Sequence, residues 1–309
     1  MPTPREKARY AKVLDNIANR YNRLDDATLR RVIGTLQELR KDIAAALLRN
    51  PSDFELWRLT QLQAAVDEQI EQFNGRLLQA LRQGFSDAAN LGADMVTEPL
   101  RTIGLGFGFN RVDPVVANII TDFSAMLVKD ISEDIRARVN GALRLAALGQ
   151  ETPFQVMKRI TSPAVLGIKS YDGVWGLRSR PDVVKGVAAR AEAITRTELT
   201  RVFNLAQTQY QKQAADQVPG LLKRWVATGD ERTRPAHLMA HYETLSKPVP
   251  YDKPFDVGGE KMMYPGDPRA SAGNTVNCRC RMVTVIPDVG VIETPMDRAV
   301  VKEKMEREG

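Results

Sequence analysis

Cysteine is almost missing from this chain: Cys278 and Cys280 are the only two in 309 residues. That scarcity excludes a disulfide-stapled secreted scaffold and suits a reducing compartment. Histidine is equally scarce, with only His237 and His241, so few catalytic constellations can be built at all. No window reaches the run of about 18 apolar residues that a membrane span needs. The N-terminal M-P-T-P-R-E-K-A-R lacks the apolar core of a signal peptide. There is no tandem repeat and no G-x-S-x-G elbow, and Leu238 and Met239 follow His237 where a zincin needs its glutamate. The run G-L-G-F-G-F-N from Gly104 to Asn110 is glycine-rich, but it has no lysine or threonine in the phosphate-loop position. It reads as a flexible hinge between helical regions.

What is present supports a globular protein. At 43% hydrophobic the chain can bury a real core, and its length suits one large or two to three small domains. The formal charge of +6 is mild. It fits contact with nucleic acid or an acidic protein surface, and it fits an ordinary protein equally well.

Apolar periodicity divides the chain. Leu29, Val32, Ile33, Leu36, Leu39, Ile43, Leu47 and Leu48 recur at three and four residues, which predicts an amphipathic helix that Asn50-Pro51 stops. Ser52 and Glu55 have capping-box spacing and open a second helix through Leu62, Val66, Ile70, Phe73, Leu77 and Leu81. Neither stripe is hidden alone, so the two pair as a hairpin over residues 1–98. Asp113-Pro114 starts a long helix that reaches about Leu148, and Asp182 to Gln213 is helical again. These make a long-helix middle region over residues 111–218. From Trp225 the character changes to short β-prone pieces and turns. Residues 221–287 read as a small α+β domain with strands at Lys223–Ala227 and Arg281–Ile286, and residues 288–309 as a charged tail. The expected fold class is therefore mainly α-helical N-terminal and middle regions with a small turn-rich α+β C-terminal domain.

The chemistry-bearing residues gather in that last domain. Cys278, Cys280, His237 and His241 are four soft or borderline ligands within one short window, the number a structural zinc needs. Three readings stay open: two same-face buried thiols, which we prefer, a structural zinc, and a disulfide or other redox pair. Direct bridging of Cys278 to Cys280 would close a strained small ring. A thiol nucleophile paired with His237 would lack an evident third group. P-F-D-V-G-G at Pro254 to Gly259 predicts a Gly-Gly hairpin, and M-Y-P-G-D-P at Met263 to Pro268 a type II turn. Asp256 and Asp267 read as turn caps rather than paired acids.

The landmarks in order are W-V-A-T-G-D-E-R-T-R-P-A-H from Trp225, then P-F-D-V-G-G, Y-P-G-D-P and N-C-R-C-R. This succession resembles the tailed-phage head-morphogenesis family named after the phage Mu F protein. The helix A-I-T-R-T-E-L-T-R-V-F-N before it is similar to the family's upstream helix, with Arg196 and Glu198 in the same arrangement. The likeness covers roughly Val112 to Ile286 and is strongest from Trp225 on. Positions matching the family's signature are Trp225, Asp230, Arg234, His237, Phe255, Tyr264, Pro265, Gly266, Asn277, Cys278 and Cys280. The chain departs from it after His237, where H-L-M-A-H-Y-E-T-L-S replaces a turn glycine and predicts a longer or partly helical segment.

The resemblance implies a non-enzymatic minor head protein at the portal vertex inside the capsid, passing through the host cytoplasm during assembly. Its implied partners are the portal protein, with a scaffold or major capsid protein beside it and nonspecific double-stranded DNA nearby. Arg82, Arg178 and Arg180 are the candidate phosphate contacts, which would be salt-sensitive. Members fused to a toxin or enzyme continue well past the cysteine motif, so the short stretch after Pro287 argues against such a passenger. Two alternatives remain, a DNA-binding internal virion protein ejected with the genome and a thiol- or metal-dependent enzyme.

Overall fold

Four long helices lead into a small sheet-bearing region. The computed structural model describes residues 2–48, 56–106, 114–147, 155, 187–230, 232–287, 289–294, 297–298 and 300. The helices are α1 (Pro4–Leu48), α2 (Leu56–Thr102), α3 (Pro114–Ala147) and α4 (Val187–Ala215). Helix α1 starts well before the first apolar stripe recognised in the sequence. A reciprocal cap explains the start: Glu6 N donates to Thr3 Oγ1 at 3.3 Å, and the Glu6 carboxylate accepts from Thr3 N at 2.6 Å. Pro4, at the first helical position, has no N–H to lose there. The expected Ser52–Glu55 box and the Asp113 cap lie outside the described residues.

At the other end of α2, Leu105 N donates to the Leu100 carbonyl and Gly104 N to that of Arg101, with Gly104 at φ +82°. This is a Schellman cap, and it needs the left-handed backbone that glycine takes without strain. The first glycine of the G-L-G-F-G-F-N run therefore ends a helix, while 107–110 lie outside the described residues.

Beside the expected segments 1–98, 111–218, 221–287 and 288–309, the chain divides by its contacts into two compact units. One comprises 27–83 and 121–195, the other 1–26, 84–120 and 196–309. Each draws on several segments because the long helices contribute a stretch to both.

The first of these units is helical. Leu29, Val32, Leu36, Leu39 and Ile43 of α1, Val66, Ile70, Phe73 and Leu77 of α2, and Ile131, Ile135 and Val139 of α3 are all buried. The stripes read from the sequence are thus the core, which burial of apolar area stabilises. Half-exposed polar pairs line the seams. Arg76 meets Glu38 at 3.4 Å and Asp42 at 2.7 Å, and Arg136 meets Asp67 at 2.8 Å. Pairs this open contribute little to stability and serve mainly to set register.

In the other unit, Tyr10, Leu14, Ile17 and Tyr21 of α1 and Phe85, Ala88 and Val96 of α2 are buried, as are Leu199, Val202, Phe203 and Ala206 of α4. The Tyr21 and Phe203 rings lie 4.3 Å apart. Helices α2 and α4 come so close at Gly92 that a Cβ there would collide with the Phe203 carbonyl.

The remainder of this unit is the expected α+β region. Strands β1 (Leu222–Val226), β2 (Val249–Pro250) and β5 (Arg281–Val285) form an antiparallel sheet in the order β2-β1-β5, with Trp225 opposite Met282. Strands β3 (Phe255–Val257) and β4 (Glu260–Met262) form a separate hairpin. Gly258 and Gly259 both take positive φ at its turn, as the Gly-Gly signal predicts. Helix α5 (Pro235–Ser246) packs on β1, and the single turn α6 (Ala272–Thr275) precedes the cysteines. The H-L-M-A-H-Y-E-T-L-S stretch is thus helical.

Every residue of β5, and all of β1 except Leu222, is buried. The sheet is covered on both faces, which forces Lys223 and Arg224 to find partners within the protein. Lys223 Nζ donates to the Met263 carbonyl at 2.7 Å and sits 4.8 Å from the Phe255 ring centre. Arg224, wholly buried, grips the Asp297 carboxylate through two hydrogen bonds of 2.6 and 2.7 Å. Among the described residues, no helix is long and apolar enough to cross a membrane.

Candidate functional site

The site is assembled by α5 and the segment that leads into β5. Pro235 opens α5 at its first turn, and Arg234, in extended backbone, holds the N-cap position. Helical spacing then places His237, Ala240, His241 and Thr244 on the buried face. On the opposite side, α6 ends at Thr275 and the chain reverses through Asn277, whose φ of +56° is left-handed. Asparagine tolerates that conformation better than most residues. The reversal delivers Cys278 and Cys280 to the buried face of α5.

Both cysteines precede β5, as the expected strand at Arg281–Ile286 implies, and lie in irregular backbone. They are held by side chains from α4 and the loop after β1. Thr200 Oγ1 donates to the Cys278 carbonyl at 2.7 Å, Asn204 Nδ2 to that of Cys280 at 3.2 Å, and Thr228 Oγ1 to that of Arg279 at 3.1 Å. Asn277 N donates to Thr197 Oγ1 at 2.9 Å.

His237 Nδ1 lies 3.3 Å from Cys280 Sγ and 3.7 Å from Cys278 Sγ. The ligand atoms of these three residues all fall within 4.8 Å of one another. Both thiols are free, so no disulfide is formed. His237 is 1% exposed, Cys278 2% and Cys280 4%, so solvent and substrate have no direct approach. Trp225 closes the site, its ring 5.3 Å from His237 and edge-on, with Phe255 edge-on behind it at 5.4 Å.

The two thiols are shifted in opposite directions. The hydrogen bond from Cys280 pulls the Cys278 thiol well below the ordinary cysteine range, against burial. Burial pushes the Cys280 thiol well up.

His241, expected beside the other three, faces away from them. Its Nδ1 accepts a long bond of 3.4 Å from Ala227 N, and its Nε2 points at Asp297 Oδ1 3.7 Å away. Burial depresses its pKa to about 4, with Asp297 pulling the other way.

The remaining signature residues interlock around this cluster. Asp230 accepts from Arg279, the residue between the cysteines, at 2.6 Å and from Arg232 at 2.7 Å. Burial works to raise the Asp230 carboxyl, but these two guanidinium groups outweigh it and hold it well below the carboxylate range. Arg234 donates to the Val276 carbonyl at 2.6 Å. Glu198 grips Arg201 at 2.6 and 2.7 Å, and Arg201 Nε donates to the Gly266 carbonyl at 3.0 Å. Arg196 pairs with Asp25 at 3.1 Å. Tyr264 to Asp267 form the expected turn, with Asp267 N bonded to the Tyr264 carbonyl and Gly266 at φ +85°. Tyr264, Pro265 and Gly266 are all buried. Asp256 and Asp267 are turn caps, accepting from Gly259 N and from Met263 N respectively.

Three of the signature motifs, D-E-R-T-R-P, Y-P-G-D-P and N-C-R-C-R, are therefore tied to one another or to α4 by side-chain hydrogen bonds. Residues 156–283 match the family model described as Phage Mu protein F like protein. The segment is Mu F-like. That likeness supports a phage head-related protein. No curated protein and no solved structure matches the chain.

Of the candidate phosphate contacts, Arg82 is exposed on α2, and Arg178 and Arg180 lie outside the described residues. Two residues of the Mu F-like region and its surroundings were missed by motif reading. Asn274 accepts from His237, and Asp297 holds Arg224 while facing His241. The only signal for Asn274 was its place in a turn just before the cysteines. Asp297 caps its own turn through Thr294, accepting from Thr294 N at 2.6 Å and Thr294 Oγ1 at 2.8 Å.

Proposed function

We propose that the chain is a non-enzymatic minor head protein, bound at the portal vertex inside the capsid and acting in head morphogenesis, with a role in DNA packaging or delivery. The observation that carries this reading is that the Mu F-like match falls on an interlocked, buried assembly. Trp225, His237, Phe255, Tyr264, Gly266, Cys278 and Cys280 are all interior, as residues that specify a fold are, and offer no reactive group to a substrate. A portal-facing role asks for surface rather than for chemistry, and the long helices α1 to α4 supply extended surface. The exposed Arg82 and the net charge of +6 are compatible with nearby DNA through nonspecific phosphate contacts.

The test is co-purification. The protein is expected to remain with procapsids, or with isolated portal, in salt high enough to strip DNA-bound proteins. Its absence from both particles would sink the proposal. Release in step with rising salt, together with transfer alongside the genome, would instead support an ejected DNA-binding protein. Scaffold and major capsid protein are the other partners to be scored in the same experiment.

A further inference from the structure

We propose that His237, Cys278 and Cys280 form a three-ligand site for a thiophilic metal ion of the zinc class, with Asn274 as the residue that positions the histidine. This inference stands independently of the head-protein reading.

The tautomer of His237 follows from hydrogen bonding. Asn274 Nδ2 lies 3.2 Å from the Val257 carbonyl, which can only accept, so the amide must place its nitrogen there. That leaves Asn274 Oδ1 as the atom 3.3 Å from His237 Nε2. An amide oxygen accepts, so Nε2 carries the proton and Nδ1 presents a bare lone pair. The lone pair faces both sulfurs, at 3.3 and 3.7 Å. Metal-binding histidines are oriented in this way, with the distal N–H donated to a neighbouring oxygen and the other nitrogen free to coordinate.

The distances also suit an ion. With Zn–S of about 2.3 Å and Zn–N of about 2.0 Å, a tetrahedral centre has S···N edges of about 3.6 Å. The two observed separations straddle that value. Two sulfurs and one imidazole select zinc or another soft ion over magnesium or calcium, which take oxygen. Entry of the ion displaces the thiol protons to solvent and leaves two thiolates bound.

The competing arrangement is a nucleophile, because Cys–His–Asn can also activate a thiol. Burial decides against it. All three ligands are at most 4% exposed, and the Trp225 ring closes edge-on against the imidazole with Phe255 behind it. An ion of about an ångström in radius can be enclosed during folding, whereas a substrate must enter afterwards. Among the described residues no fourth histidine, cysteine or carboxylate joins the group, and His241 is turned toward Ala227 and Asp297. The described residues thus supply three of the four corners of a tetrahedral ion. Bound there, the ion would lock the turn after α6 to the first turn of α5.

The experiment uses the full chain, purified under reducing conditions, stripped with a chelator and titrated with cobalt(II). The expected result is a thiolate-to-cobalt charge-transfer absorption saturating at one ion per chain and abolished by one equivalent of zinc. Elemental analysis of the unstripped protein should give close to one zinc per chain. Cys278→Ser and Cys280→Ser should each lose the full charge-transfer signature, and Asn274→Ala should weaken the ion about 10- to 100-fold. His241→Asn should retain it. No charge-transfer band in the wild-type chain, with zinc well below one per chain, would overturn the proposal. So would undiminished binding in a Cys278→Ser, Cys280→Ser double variant. Because the wild-type spectrum reports thiolate ligation directly, the test survives any variant that fails to fold.

Discussion

Acidification should destabilise this protein through His241 before most carboxylates begin to titrate. The imidazole is wholly buried, and its pKa is depressed from 6.5 to about 4. The neutral ring is therefore the form the folded chain favours. The charged groups facing it are the Asp297 carboxylate at 3.7 Å and the Arg224 guanidinium bonded to that carboxylate. Asp297 is itself depressed, because the Arg224 bonds outweigh its burial, so both neighbours keep their charges through the window. Stability from His241 is complete above the unfolded value of 6.5 and is lost as pH falls toward 4. In that range the unfolded chain takes up a proton that the folded chain refuses. The full shift corresponds to about 3 kcal/mol, and between pH 7 and pH 5 the linkage integral gives a loss of about 2 kcal/mol. The assay is urea unfolding at a series of pH values, for the wild type and for His241→Asn, whose Oδ1 can still accept from Ala227 N. Carboxylates titrate in both proteins, so the difference isolates the histidine. The variant should lose about 2 kcal/mol less than the wild type over that interval. Parallel pH profiles, or an imidazole titrating near 6.5 in the folded protein, would refute the reasoning.

Other outcomes follow from the packing. Asp297→Asn should cost about 3–5 kcal/mol in chemical denaturation, because it leaves the Arg224 charge buried without its counter-ion; a loss under 1 kcal/mol would show that the pair is hydrated. Gly92→Ala drives a methyl group into the Phe203 carbonyl, so the melting transition should fall by the equivalent of about 1–3 kcal/mol, and an unchanged transition would mean that α2 and α4 separate freely. Gly266→Ala combines a φ of +85° with a close approach to the Arg201 backbone. It should destabilise by at least the 1–2 kcal/mol of a left-handed alanine, which differential scanning calorimetry can read.

Much of this was legible in the chain, and the parts that were not share a cause. The stripes Leu29 to Leu47 and Leu62 to Leu81 declared their helices because period and burial coincide over many turns. Gly258-Gly259 and the Pro265-Gly266 pair declared their turns because positive φ has few tenants. Lys223 and Arg224 were unreadable as interior residues. Their burial depends on a carbonyl 40 residues away and a carboxylate 73 residues away, and no local pattern encodes such partners. The four-ligand grouping failed at His241 for the same reason. Helical spacing does place both histidines on one buried face, but Asp297 and Ala227 await the second. Asn274 carries no motif, and its role appears only once Val257 fixes its amide.

The most direct test of the central claim is the position of this chain in an intact particle. A reconstruction of the procapsid without imposed icosahedral symmetry should show its helices against the inner face of the portal vertex, with residue-specific crosslinks to the portal protein. Density confined to the shell away from that vertex, or found only along packaged DNA with no portal crosslink, would contradict it.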